Sequence, residues 1–401
     1  MANAVKHQAR DPTHILVVVA EMGHGSQREI VGITRFAKRN GLSVDIVHDR
    51  HFGDGPDFAQ WIEFWKPGGL IVDPAYAFEA LADKAASSLP MVIWDASMAS
   101  GFPERCARVM SDPNSIAEAA ARELFRAEFQ QFAFVPAMGD PAWSRERGAV
   151  FGRLTTGSGR TFASFSPKAA ESRAPVSFQT RLVDFLRSLP KPCGIFAAND
   201  ATAALVVKAA SALGLRFPDD LTLVGVDDSD EYCERSDPTI SSVRCDVEAG
   251  GEEAARLLAE LMARGKRSTG RKYSPPVATY GAKRLVRRSS SRLFRDRRVD
   301  RAMECIRLNA CEEGFGPRMV VRQMGVSSTI AYPLFHAAAG RTILDEIHAV
   351  RLAHAMELLA NGVFPDLVAS ECGYASHADF RRVFRQRIGA TVRQWTLAHR
   401  R

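Results

Sequence analysis

At 401 residues, with 46% hydrophobic side chains and a mean hydropathy of −0.14, the chain is too long for one ordinary core, and two or three domains are expected. Its net charge of +7 is uneven: of 53 Lys and Arg and 46 Asp and Glu, residues 288–401 hold 18 Arg and 11 acids, leaving 35 of each sign before them. No run of about 18 apolar residues and no signal-peptide core occurs, which argues against membrane spanning and export. The seven scattered cysteines lack a C-x-x-C pair or zinc spacing and read as reduced thiols of a cytoplasmic protein.

From His14 to about Arg288, short β-branched runs alternate with helical patterns. Ile15–Ala20 is followed by an amphipathic stretch, Arg28–Asn40, and then by Val44–Val47, Gly69–Val72 and Met91–Trp94. The pattern resumes with Phe132–Val135, Gly194–Ala197 and Leu221–Val226. Continuous apolar strands separated by helices predict parallel sheets covered on both faces, here two doubly wound lobes. Ligands of such sheets sit beyond the carboxyl ends of the strands. One linker is predicted at Ala263–Pro276, before a strand-like run Val277–Tyr280, and a second at 288–298.

Beyond it the pattern is all helical, from Val299–Ala310 onward, with Ile343–Leu359 as a connecting helix. One phrase is written twice here, F-x4-G-x-T, at Phe335–Thr342 and 49 residues later at Phe384–Thr391. Each copy follows a Gly-containing turn, at Gly325-Val326-Ser327 and Gly373-Tyr374-Ala375-Ser376, flanked by apolar-periodic segments. Helix, Gly turn, second helix with a Ser near its N-cap is the order of a helix-turn-helix, and two such units can reach successive major grooves. The positive excess lies in this segment, as phosphate neutralisation requires.

The C-terminal 100 residues resemble the AraC-type DNA-binding domain through Arg351-Leu352-Ala353-His354-Ala355, Cys372-Gly373-Tyr374, Phe380–Phe384 and Gly389-Ala390-Thr391. The preceding part is similar to the sugar-sensing core shared by lactose-repressor-type regulators and periplasmic binding proteins. The residues that carry this are Ser144–Gly148 before Phe151, Ala197-Ala198-Asn199-Asp200, Val224–Asp228 and Ile240–Val243. The combination resembles regulators of the xylose-operon type. The resemblance implies an α/β two-lobed periplasmic-binding-protein-like sensor over 13–287, a linker over 288–298 and an all-α domain of two helix-turn-helix units over 299–401. It implies ligand contacts from Arg147, Asn199 and Asp227, and a further carboxylate at Asp95. Trp143 or Trp94 would supply an aromatic face. Two family positions depart, Cys245 for a Gln and Ala96 for an Arg, so the ligand is not inherited.

In the second reading helix, from about Ser376 to Arg387, the resemblance places His377, Asp379 and Arg382 toward bases and Arg381 and Arg385 toward phosphates. The first, Ser327–Ala338, holds Pro333 and offers only Thr329 and Tyr332. The expected partners are double-stranded DNA, a monosaccharide or derivative as effector, a second copy of the chain, and RNA polymerase. No membrane, cofactor or metal is expected. An enzyme is disfavoured, because no nucleophile elbow, phosphate loop or zinc spacing occurs and the adjacent carboxylates Asp227-Asp228 do not converge on one substrate. The alternative is a solute-binding protein with an incidental basic tail.

Overall fold

The computed structural model describes residues 11–20, 24–48, 56–94, 106–168, 171, 174–264, 276–292 and 296–399. The chain divides into two compact units, Met1–Ser291 and Arg292–Arg401.

The first unit opens with β1 (Asp11–Val19), α1 (His24–Arg39), β2 (Ser43–His48), α2 (Phe58–Trp65), β3 (Pro67–Val72), α3 (Ala77–Ala82), β4 (Met91–Ile93) and β5 (Ala107–Ser111). The chain then passes to a second lobe through α4 (Pro113–Leu124), β6 (Gln131–Val135), α5 (Ala142–Gly157), β7 (Thr161–Ser164) and α6 (Pro175–Ser188). There β8 (Cys193–Ala197), α7 (Asp200–Ala212), β9 (Leu221–Val226), α8 (Asp230–Cys233) and β10 (Ser241–Cys245) complete the wind. It returns through α9 (Val247–Arg264) and β11 (Val277–Tyr280) and crosses once more into β12 (Ala282–Val286).

Two six-stranded sheets result, in the orders β11-β5-β4-β3-β1-β2 and β12-β10-β9-β8-β6-β7. Among the described residues every pairing is parallel except β12 against β10. The central strands β8 and β9 are buried at every position, which is why they read as continuous apolar runs. Three segments therefore cross between lobes, and they are stitched together. The Asp112 N–H donates to the Tyr280 carbonyl at 2.8 Å and the Asp246 N–H to the Gly281 carbonyl at 2.9 Å, while Ser115 Oγ accepts from Ala282 N at 2.9 Å.

The second unit contains α10 (Arg297–Asn309), α11 (Pro317–Met324), α12 (Ser328–Ala339), α13 (Ile343–Ala360), α14 (Pro365–Glu371), α15 (His377–Ile388) and α16 (Val392–His399). The repeated F-x4-G-x-T acquires a physical meaning here. Phe335 and Phe384 are wholly buried, and Gly340 and Gly389 end α12 and α15 at φ +71° and +77°, where a side chain would be strained. Thr342 and Thr391 cap the next helices, accepting from Asp345 N at 3.1 Å and Gln394 N at 3.2 Å, and both caps are reciprocal boxes. Each repeat is thus a buried anchor, a helix stop and a helix start.

Helix α13 serves two small cores. Ile343 and Ile347 pack with Val299, Ile306, Val320 and Phe335, and Leu352, Ala355 and Leu359 with Val368, Phe380 and Phe384. Between them the buried Arg351 donates to the carbonyls of Ala310 at 2.6 Å and Phe315 at 2.9 Å.

The structure departs from the expected junction. Arg288, Ser290 and Ser291, read as the start of a linker, are at most 3% exposed within the first unit. Ser290 exchanges hydrogen bonds with β9, its carbonyl accepting from Leu223 N and its hydroxyl donating to the Leu223 carbonyl. Most of the linker read at 263–276 lies outside the described residues, and α9 runs to Arg264.

Candidate ligand cleft and nucleic-acid interface

The carboxyl ends of the second-lobe strands gather three of the expected ligand residues. Arg147 projects from α5 and is 6% exposed; its Nη1 donates to the Ala198 carbonyl at 2.7 Å, just past β8, and its guanidinium lies 4.8 Å from the Trp143 ring centre. Asn199 follows in the chain and caps α7 with its amide oxygen, which accepts from Thr202 N at 3.0 Å and Thr202 Oγ1 at 2.7 Å. Only the oxygen is used by the cap, so the amide NH2 keeps its donor capacity. Asp227 ends β9 at φ +104°, held by its N–H to the Val243 carbonyl at 2.9 Å, and is exposed. Trp143, Arg147, Asn199 and Asp227 together offer an aromatic face, a cationic fork, an amide and a carboxylate, a donor and acceptor set suited to vicinal hydroxyls.

The second carboxylate of the pair turns the other way. Asp228, at φ +55° and 1% exposed, accepts from Arg244 Nε at 2.6 Å and pairs with Arg288 Nη1 at 2.8 Å. Burial alone would raise its carboxyl, but the Arg288 and Arg244 cations more than offset this and hold it below the usual range. Arg288 also donates to Glu234 at 2.7 Å and to the Ile240 carbonyl at 3.1 Å. Asp227 therefore faces outward, while its neighbour binds the end of the unit.

Behind the cleft sits a residue that sequence reasoning used only as a motif letter. The Asp200 carboxylate is 1% exposed, accepting from Ser242 Oγ at 2.7 Å and Ser229 N at 2.9 Å. Burial, and then the negative charge of Asp227, push its carboxyl up to about 8. A methyl at Gly225 would lie 2.2 Å from Asp200 Oδ1, so the glycine of Val224-Gly225-Val226-Asp227-Asp228 makes room for this acid. On the first lobe, Asp73 at the end of β3 was also missed; burial raises its carboxyl, against the Ala75 and Ala20 amides that lower it. A carboxylate directly after a central strand was the available signal.

One expectation changes and one lies beyond test. Trp94 does not serve as a ligand platform: it is 5% exposed and stacks on Tyr280 with ring centres 5.2 Å apart, where Gly250 leaves no room for a side chain. Asp95 lies outside the described residues. Cys245, at the family's Gln position, is 2% exposed and belongs to the core.

In the second unit, α15 exposes Arg381, Arg382 and Arg385 on the face opposite buried Phe380, Val383 and Phe384. Ser376 is its N-cap, accepting from Asp379 N at 3.1 Å. His377 is only part-exposed and is tied to α14, with Nε2 2.8 Å from the Pro365 carbonyl and 3.0 Å from Asp366 Oδ1. Asp379 and Arg382 pair with each other one turn apart, and Arg381 lies 3.9 Å from Asp366. In the first helix-turn-helix, α12 runs unbroken through Pro333, which cannot donate to the Thr329 carbonyl. Thr329 and Tyr332 are exposed there, with Ile330 beside them.

A family model described as a periplasmic binding protein-like domain matches residues 121–291, and one described as a helix-turn-helix domain matches residues 320–398. In class, the chain is a DNA-binding transcription regulator that joins a periplasmic-binding-protein-like sensor to a pair of helix-turn-helix units similar to the AraC type. It is similar almost end to end to the Xylose operon regulatory protein of Escherichia coli (strain K12), 27% identical over 395 residues, covering 95% of this chain and 96% of that protein. The Xylose operon regulatory protein of Haemophilus influenzae is 26% identical over 292 residues, 72% of this chain and 74% of the relative. Among solved structures, the xylose-binding transcription activator xylR shares the fold with a TM-score of 0.55 at 23% identity, covering 97% of this chain and 98% of that one. The lac repressor dimer bound to operator has a TM-score of 0.53 at 17% identity, covering 72% of this chain and 96% of its own. The basic C-terminal segment is thus a DNA-binding domain, and the reading of a solute-binding protein with an incidental tail is set aside.

Proposed function

We propose that this regulator controls a carbohydrate-utilisation operon and that its effector is a monosaccharide or a sugar derivative. The observation that carries the reading is the convergence of Trp143, Arg147, Asn199 and Asp227 at the strand ends of one lobe, on a chain similar end to end to xylose operon regulators. Arg147, Asn199 and Asp227 bind the hydroxyls, Trp143 covers an apolar ring face, and Asp95 is a further carboxylate contact. Closure of the lobes about the three stitched crossings changes the DNA-binding geometry of a homodimer in the cytoplasm. Closure acts on DNA only in so far as the ligand favours one arrangement by free energy.

Arg382 and Asp379 read bases, Arg381 and Arg385 hold phosphates, and the second helix-turn-helix carries most of the affinity. Ser376 and His377 set the start and pose of α15, while Thr329 and Tyr332 are the reading residues of α12. RNA polymerase is a further partner in this scheme, and the domain limits are a sensor from 13 through Ser291, a short junction and the DNA-binding domain over 299–401.

The test is a gel-shift series over promoter fragments together with a thermal-shift panel of pentoses, hexoses, sugar acids and sugar phosphates. A ligand at about 100 times its Kd should add ~2.7 kcal/mol to the sensor. A sugar that raises the sensor transition and alters a specific gel shift supports the proposal. A flat panel, with specific DNA binding intact, removes the sugar from it.

A further inference from the structure

Cys311 and Cys372 are 61 residues apart in sequence and meet where the two halves of the DNA-binding unit join. Cys311 lies in the loop between α10 and α11 and is partly exposed; Cys372 ends α14 and is buried. The backbones touch as well. A methyl at Gly373 would lie 2.8 Å from both the carbonyl carbon and oxygen of Cys311, and 3.0 Å from the Ala310 oxygen. Gly373 itself turns at φ +69° to begin the approach to α15.

The surroundings polarise the pair. Hydrogen bonding between the two thiols, opposed by burial and helped by the Arg351 cation, lowers the Cys311 thiol below its ordinary value. The same hydrogen bond, with burial, raises Cys372. Arg351 is fixed in place by the Ala310 and Phe315 carbonyls and by the Tyr374 ring 5.3 Å from its guanidinium. Cys305, the other partly exposed cysteine, is instead raised by burial. A partly exposed thiol shifted toward its thiolate, packed beside a buried thiol shifted the other way, is the arrangement of an oxidisable sulfur with a resolving partner.

We propose that Cys311 and Cys372 form a peroxide-sensitive thiol pair whose disulfide weakens DNA binding. The Cys311 thiolate attacks one oxygen of a hydroperoxide, the O–O bond breaks, and the departing oxygen takes a proton to leave as water or alcohol. The sulfur of Cys372 then attacks the resulting sulfenic acid; the S–S bond forms, the S–O bond breaks, and the hydroxyl leaves with the Cys372 proton as water. Two thiols are oxidised and one peroxide is reduced. Two sulfurs in hydrogen-bond contact must close to ~2.05 Å in the disulfide. The Gly373 turn, already packed against the Cys311 backbone, moves with them and tilts α15.

The full-length chain, reduced and then treated with hydrogen peroxide, tests this by intact mass, peptide mapping and gel shift on a promoter fragment that it retards. The expected result is a two-hydrogen mass loss mapped to Cys311–Cys372, a severalfold loss of DNA affinity, and recovery of both with dithiothreitol. Cys305→Ser should behave like the unmodified chain, and Cys372→Ala should keep its affinity under peroxide. Folding of Cys372→Ala is read independently by its thermal transition and by its gel shift before peroxide is added. Absence of the Cys311–Cys372 bridge overturns the pair, and a bridge that leaves affinity unchanged overturns the switch.

Discussion

Replacing Arg288 by Ala tests whether the end of the sensor is a solvated tether or part of its core. Its guanidinium is 4% exposed and makes three contacts at once, to Asp228 at 2.8 Å, to Glu234 at 2.7 Å and to the Ile240 carbonyl at 3.1 Å. Truncation leaves Asp228, itself 1% exposed, with Arg244 as its remaining ion-pair partner of the two described. Removing one partner of a buried ion pair costs about 3–5 kcal/mol when the charge left behind is uncompensated; Arg244 keeps part of the compensation here, so the low end, about 3 kcal/mol, is expected. A residue in a solvated linker would cost under about 0.5 kcal/mol. At about 2 °C per kcal/mol for a unit of this size, the sensor transition should fall by ~6 °C. Tryptophan fluorescence isolates that transition, since Trp61, Trp65, Trp94 and Trp143 belong to the first unit and Trp395 alone to the second. The gap should also shrink in acid. The folded-state Asp228 carboxyl is held low, so its contribution is present above an unfolded value near pH 3.9 and is lost as pH falls through the folded one. A fall below about 1 °C at neutral pH would refute the assignment of Arg288 to the sensor core.

Arg147→Ala should abolish the ligand-induced thermal shift while the gel shift without ligand persists; loss of both would mean misfolding or a wrong division of labour. Arg382→Ala should cost about 1–3 kcal/mol on the cognate site and relax preference at one base pair. Arg385→Ala should instead weaken all sequences alike and reduce the salt slope by about 1; swapped outcomes would exchange the two roles. Asp200→Asn addresses pH. The folded carboxyl is raised to about 8, so its contribution is fully present below an unfolded value near 3.9 and is lost as pH rises through about 8. The variant, neutral throughout, should show a flatter fall of sensor Tm between about pH 5 and 8.5, and parallel curves would remove Asp200 as the cause.

Much of the sensor was legible because its central strands are buried on both faces. Leu221–Val226 and Val277–Tyr280 occur with the bounds read from sequence, and β1, β2, β3, β6 and β8 within a few residues. The strands that escaped lie mostly at edges or carry charge. β7 and β12 are edge strands with no continuous apolar run, and β5 carries Arg108 at its second position. The DNA-binding unit was more transparent still, because caps and stops are local devices: a Gly at positive φ and a Thr at an N-cap act within four residues of themselves.

What the sequence by itself determined is therefore the local grammar: which runs form strands, where α12 and α15 stop, where the positive charge collects, and which polar residues end strands. What only the tertiary structure decided is which way those residues turn. Asp227 and Asp228 are neighbours of one type, yet one is exposed and the other is buried between Arg244 and Arg288. Trp94 ends a strand as a ligand platform would, and packs on Tyr280 instead. His377, expected from the resemblance to face bases, is held by the Pro365 carbonyl. In each case the deciding partner lies at least 12 residues away or on another strand, and a choice between solvent and a distant partner is made only when the chain brings that partner into contact.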